Sequence, residues 1–180
     1  MIKLKRVFFL ILSLFTVSFS VFGCTDSLKS GDPFSKFHGD VTAELSLDIG
    51  GALSTCRYER LHGVTTVTLL SPSELCGFIF TAQDGSITLK VGSTEIDAEG
   101  QISFLPRLLS SVLSEKRESI SEISTERADG KAITSVKTPT AVYRFGADGS
   151  PISARGISEG VEFSIVFNSL SVAGAGEKTE

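Results

Sequence analysis

The chain is expected to fold as an α+β domain in which a strongly curved antiparallel sheet wraps around one main α-helix. Three observations lead there. Short apolar–polar alternations recur along most of the chain, the period of half-buried strands. Gly-Gly, His-Gly, Asp-Gly and Gly-Ser pairs punctuate them at hairpin spacing. Only one segment has a strong helical period. One helix cannot cover about ten strands laid flat, so the sheet must curl around it or close on itself.

The pattern is preceded by residues 1–23, which read as an export signal. Lys3, Lys5 and Arg6 make a basic start, and Val7 to Phe22 is almost wholly apolar, broken by Ser13, Thr16, Ser18 and Ser20. That run is shorter than the ~20 apolar residues of a comfortable membrane span. Small Gly23 stands before Cys24. Residues 24–36, rich in Ser, Gly and Asp with Pro33, read as a tether. The domain is then expected over 37–172, followed by a loose tail at 173–180.

Within the domain, Val41, Ala43, Leu45, Leu47 and Ile49 alternate with polar residues, a strand with one wet face. Gly50-Gly51 ends it. Cys56, Tyr58 and Arg60 share one face of the next strand, and His62-Gly63 turns into Val64 to Leu70, with Val67 and Leu69 in phase. Ser71 to Gly77 has Pro near its start and Gly at its end, the signature of one short helical turn. Gly77 to Ala82 resumes as a strand with Phe78 and Phe80 together. Asp84-Gly85 and Gly92-Ser93 then separate strands at Ile87 to Val91 and Thr94 to Ala98.

Phe104, Leu105, Leu108, Leu109, Val112 and Leu113 occupy one helical stripe, with Ser103 as cap and Pro106 in the tolerant first turn. Roughly 14 residues would make a rod of about 21 Å. Glu115-Lys116-Arg117-Glu118 reads as its solvated end. A weakly patterned strand starts at Ile123, Asp129-Gly130 turns it into Ala132 to Thr138, and Ala141, Tyr143 and Phe145 follow. Asp148-Gly149 leads to Ile152 to Arg155, and Val161, Phe163, Ile165 and Phe167 form the last clear face.

Charge limits the partners. Removing residues 1–23 loses three of the 17 basic residues and none of the 21 acidic ones, leaving a net charge of about −7. That argues against nucleic acid and against broad docking on anionic lipid. Cys56 and Cys76 remain as well. An exported chain permits a disulfide, while apolar surroundings suit free thiols equally.

Val21-Phe22-Gly23-Cys24 resembles the lipobox of bacterial lipoproteins, departing from it at Phe22, where a smaller residue is usual. The resemblance implies that Cys24 becomes the new N-terminus and carries palmitate-type acyl chains. Two or more such chains hold a protein stably on a membrane. Cys24 is therefore the expected anchor, on the outer face of a bacterial membrane. Further on, "TTVTLLSPSELCGFIFTAQDGSITLKVGSTEI" (Thr65 to Ile96) resembles the strand–Pro–strand–Asp-Gly–strand core of the lipoprotein-carrier family. That resemblance implies an unclosed half-barrel with helix on its concave side, although the long helix that usually precedes the first strand is missing. It also implies either of two roles, lipid carriage or service to a partner envelope protein, such as a cell-wall or spore-germination enzyme.

Catalytic motifs are scarce. Gly156-Ile157-Ser158-Glu159-Gly160 matches G-x-S-x-G, but a nucleophile elbow needs a helix after it and a histidine downstream. His38 and His62 both lie upstream, at the tether's end and in a turn. No set of His, Cys and carboxylates has metal-ligand spacing, and no cofactor loop is present in the sequence. The expected function is thus non-catalytic: a membrane-anchored extracytoplasmic lipoprotein binding a lipid or acyl chain between sheet and helix. The alternative is an interaction module for a partner protein. The inward faces supply the candidate ligand-binding residues, Leu45, Leu47, Val67, Leu69, Phe78, Phe80, Leu108, Leu109 and Val112. A packed core and a lipid cavity require the same inward faces, so both remain open at this level.

Overall fold

A computed structural model describes residues 31–128 and 130–172. The signal segment, Cys24, most of the tether, Asp129 and the tail at 173–180 lie outside the described residues.

Eleven strands form one antiparallel sheet. The first six are β1 (Val41–Ile49), β2 (Ala52–Leu61), β3 (Val64–Ser71), β4 (Ile79–Gln83), β5 (Ser86–Val91) and β6 (Thr94–Asp97). After the helix α1 (Phe104–Val112) come β7 (Glu122–Ala128), β8 (Lys131–Lys137), β9 (Ala141–Phe145), β10 (Pro151–Ser158) and β11 (Val161–Val172). Their spatial order is β6-β5-β4-β3-β2-β1-β11-β10-β9-β8-β7. Two meanders, β1 to β6 and β7 to β11, are therefore stitched together by the pairing of the first strand with the last.

This topology explains the position of the helix. β6 and β7 are the two free edges of the sheet, yet they are consecutive in the chain. The connection between them has to cross from one edge to the other, and α1 lies in that crossing. Its apolar stripe turns inward: Leu108, Leu109, Val112 and Leu113 are buried. The sheet curls around it as an unclosed half-barrel, with Val41, Ala43, Leu45 and Leu47 of β1 on the buried face and Thr42, Glu44, Ser46 and Asp48 on the wetter one.

The hairpins form where the backbone can turn left-handed. His62-Gly63, Asp84-Gly85 and Glu159-Gly160 all have positive φ at both residues, which matches the twist of tight two-residue hairpins. Gly156 has a different reason. A Cβ there would sit 2.2 Å from the Thr140 carbonyl oxygen and 2.9 Å from the Phe163 ring, so the close approach excludes any side chain.

Four local expectations are corrected. The α-helix has nine residues, about 14 Å, because Gly100–Ser103 is a 3-10 turn and the chain leaves the helix at Leu113. Ser103 does not cap it: its hydroxyl donates to the Gly100 carbonyl at 2.8 Å. Ser71 to Gly77 forms hydrogen-bonded turns rather than a helix, with the Leu75 N–H on the Pro72 carbonyl at 3.0 Å. Glu115 is buried, not solvated, because hydroxyls of Ser119, Thr138 and Thr140 donate to its carboxylate.

The domain also starts before residue 37. One compact unit takes in Asp32 onward, so part of the expected tether belongs to it. Asp32 accepts the Phe34 N–H at 3.0 Å, and the turn at Ser35–Phe37 drives both phenylalanines into the interior, each 0% exposed. The Phe34 ring meets Tyr143 edge-on at 4.9 Å, and Phe37 stacks on Phe167 at 5.7 Å.

Candidate functional site

The concave face is a lattice of cross-strand rows. Ala43, Tyr58, Val67, Phe80 and Leu89 stand opposite one another across β1 to β5. A second row runs through Leu45, Cys56 and Leu69. Each alternates in phase along its strand, so one pleat face collects these side chains. Helix α1 lies against β3 and β4.

The residues chosen from sequence fall on this face. Leu45, Leu47, Val67, Leu69, Phe80, Leu108, Leu109 and Val112 are all buried. Phe78 is half-buried just before β4, where its carbonyl accepts the Leu69 N–H at 2.9 Å. Val67, Leu69 and Phe80 belong to the strands or rows beneath the helix. Leu47 stands apart from them, opposite Ser54 and Ile165.

Polar groups that sequence reasoning did not select hold the roof in place. The Tyr143 hydroxyl donates to the Val112 carbonyl at 3.1 Å. Arg60 donates to the carbonyls of Gly39 at 3.0 Å, Leu113 at 3.2 Å and Phe37. Helix carbonyls at a C-terminus have no partner within the helix, so both side chains satisfy real demand there, and the cation also suits the helix dipole. At the other end Arg107 pairs with Glu159 of the β10–β11 turn at 3.1 Å, an exposed bridge of little energetic weight. The phase of Tyr58 and Arg60 with buried Cys56 was the available sequence signal.

Tyr143 and Tyr58 behave differently. Burial, followed by the nearby Glu115 carboxylate, raises the Tyr143 pKa well above the ordinary phenol range, and a Thr140 hydrogen bond offsets part of this. Tyr58 is 0% exposed, and its hydroxyl has no hydrogen-bond partner among the described residues.

Cys56 and Cys76 are both free thiols. Cys56 is buried on the concave face, where desolvation pushes its pKa up to about 12, and Cys76 is exposed.

The catalytic motif resolves into a hairpin. Ser158 ends β10, Glu159-Gly160 turns, and β11 follows where an elbow would require a helix. His38 and His62 lie 3.7 and 3.8 Å from Asp32 and Asp40, with 49% and 91% of their side chains exposed. Among the described residues no group of His, Cys and carboxylates could hold a metal ion, and no helix is long and apolar enough to cross a membrane.

An open depression of about 770 Å3 lies elsewhere, on the outer face of the sheet. Asp48, Val142, Arg155, Ile157, Glu162 and Ser164 line it. Arg155 stands opposite both Ser164 and Val142, so the depression crosses the centre of the sheet.

No protein-family model matches the chain, and no curated protein does. Solved structures show a distant likeness. An uncharacterized conserved protein from Thermus thermophilus is 10% identical, over 76% of this chain and 80% of that one, with a TM-score of 0.48. A LolA superfamily protein from Nitrosomonas europaea is 6% identical, over 83% and 94%, with a TM-score of 0.38. The lipoprotein LppX from Mycobacterium tuberculosis is 12% identical, over 71% and 84%, with a TM-score of 0.40. Likeness at this level transfers no residue role.

Proposed function

We propose that this chain is a non-catalytic lipoprotein, anchored through Cys24 to the outer face of a bacterial membrane, whose half-barrel binds a lipid or acyl chain between sheet and helix. One observation carries the binding reading. A continuous apolar layer spans β1 to β5 beneath a helix of only nine residues, whose far end is tied by side-chain donors rather than by strand pairing. A roof held this way can lift without breaking the sheet ladder, and binding sites are concave and mostly apolar. Val67, Leu69, Phe78 and Phe80 would form the floor, Leu108, Leu109 and Val112 the roof, and Leu45 and Leu47 the far wall.

Native mass spectrometry of the domain from Ser30 onward tests it. Co-purified lipid should add discrete masses, lost on organic extraction. A single apo mass, with no uptake of a fluorescent fatty acid, would refute lipid binding. The anchor has its own test: Cys24→Ser should abolish labelling by a palmitate analogue and release the protein from membranes. Continued labelling and pelleting would refute the lipobox reading.

The outer depression favours the second reading, an interaction module. It is open, and it mixes Val142 and Ile157 with Asp48, Arg155 and Glu162, the mixture expected of a protein contact. Loss of partner capture by Ile157→Asp, with lipid uptake absent in the parent, would move the function to that face.

A further inference from the structure

Tyr58 presents a chemical demand that the protein does not meet. Buried hydroxyls are nearly always hydrogen-bonded, and each exception calls for an explanation. Here the directly paired neighbours offer no acceptor. Its cross-strand partners are Ala43 and Val67, whose side chains carry no polar atom. Two residues along the same strand face, Cys56 remains a protonated thiol and Arg60 brings only donors. Thr65, buried on the same face of β3, stands opposite Arg60 and makes no hydrogen bond to the phenol.

We infer that Tyr58 donates a hydrogen bond to the acyl carbonyl oxygen of a bound lipid, selecting carbonyl-bearing chains over plain hydrocarbon. This rests on the proposed lipid binding between sheet and helix. The carbonyl belongs to a neutral group. Arg60, two residues along the strand face, turns three of its N–H groups to the carbonyls of Gly39, Leu113 and Phe37. A buried carboxylate would have to draw Arg60 away from those carbonyls to gain a counter-ion, whereas an ester needs only a donor. The substrate class is an esterified acyl chain, such as a glycerolipid.

The experiment uses the full chain, purified in non-ionic detergent and exchanged below the micellar concentration. A radiolabelled photoreactive fatty ester is displaced by methyl oleate, by oleate at neutral pH and by octadecene. The parent should prefer methyl oleate to octadecene by about tenfold, the worth of one neutral hydrogen bond, with oleate no better than the ester. Tyr58→Phe should erase that preference, leave octadecene binding unchanged and melt no lower than the parent. Equal displacement by ester and alkene in the parent would overturn the inference while leaving lipid binding intact. A preference that survives in Tyr58→Phe would do the same, as would a Tyr58→Phe protein that melts lower, because the hydroxyl would then have a protein partner. Failure of the parent to take up any of the three would refute the lipid-binding reading itself.

Discussion

The two tyrosines of this chain sit in opposite halves of the same sheet, both fully buried, and only one is satisfied. In the β7–β11 half, Tyr143 donates to the Val112 carbonyl and packs among Phe34, Phe37 and Phe145. Nearby, three hydroxyls close around the Glu115 carboxylate. In the β1–β6 half, Tyr58 stands between Ala43 and Val67 with its hydroxyl idle. The first half is therefore built as a finished core, with aromatic contacts and polar demands closed together. The second is apolar and leaves a donor unused, which is where a ligand can add something.

The largest expected effect breaks the finished half. Phe34→Ala should cost about 3–5 kcal/mol, the range for truncating a buried aromatic, read as a fall in the urea midpoint. A loss below ~1 kcal/mol would mean that the segment from Asp32 is not part of the core.

Leu109→Ala probes the roof. Because Leu109 is 0% exposed, the lipid-free protein should lose about 2–5 kcal/mol. Saturating lipid should reduce the loss toward the ~1–3 kcal/mol transfer cost of the missing methylenes. Equal losses with and without lipid would place the ligand elsewhere.

The tyrosines give the direct contrast. Tyr143→Phe removes a made hydrogen bond and strands the Val112 carbonyl, so about 1 kcal/mol should be lost. Tyr58→Phe should be neutral or stabilising in the lipid-free protein. Equal losses measured by urea unfolding would erase the distinction between the halves.

The last effect is alkaline and belongs to the buried thiol. Cys56 titrates near 12 when folded against an ordinary 9.0, so between those values the folded state holds a proton that the unfolded state has released. Stability is then fully present below pH 9 and falls as pH rises, with a slope approaching about 1.4 kcal/mol per pH unit for this thiol. Cys56→Ala should flatten that part of the curve by the same amount. In the folded domain at pH 8, a maleimide should label exposed Cys76 rapidly and leave Cys56 unreacted until denaturant is added.

Residue types and their spacing were enough for most of the local level, though not for the length of α1 or the turns at Ser71 to Gly77. Val41 to Ile49 alternates because only one pleat face can be buried, and Asp84-Gly85 turns because those residues tolerate positive φ. The inward faces of Leu45, Val67, Phe80 and Leu109 follow from the same periods. Phe34 and Glu115 did not announce themselves, since a Phe at the end of a polar tether and a Glu after a helix look solvent-facing until distant residues meet them. Glu115 is buried because Thr138 and Thr140 arrive from the β8–β9 connection, and Phe34 because Tyr143 and Phe145 wait for it.

By itself, then, the sequence determined the elements, their wet and dry faces, the hairpin turns and the curled α+β class, all properties of short-range period and backbone preference. Tertiary structure alone decided that β1 pairs with β11 at the middle of the sheet, so that the crossing between edges β6 and β7 carries the helix over the concave side. It also decided which tyrosine finds an acceptor. Phase along a strand places both hydroxyls inward, but satisfaction depends on which carbonyl the crossing chain brings within hydrogen-bond reach, and Val112 comes to Tyr143.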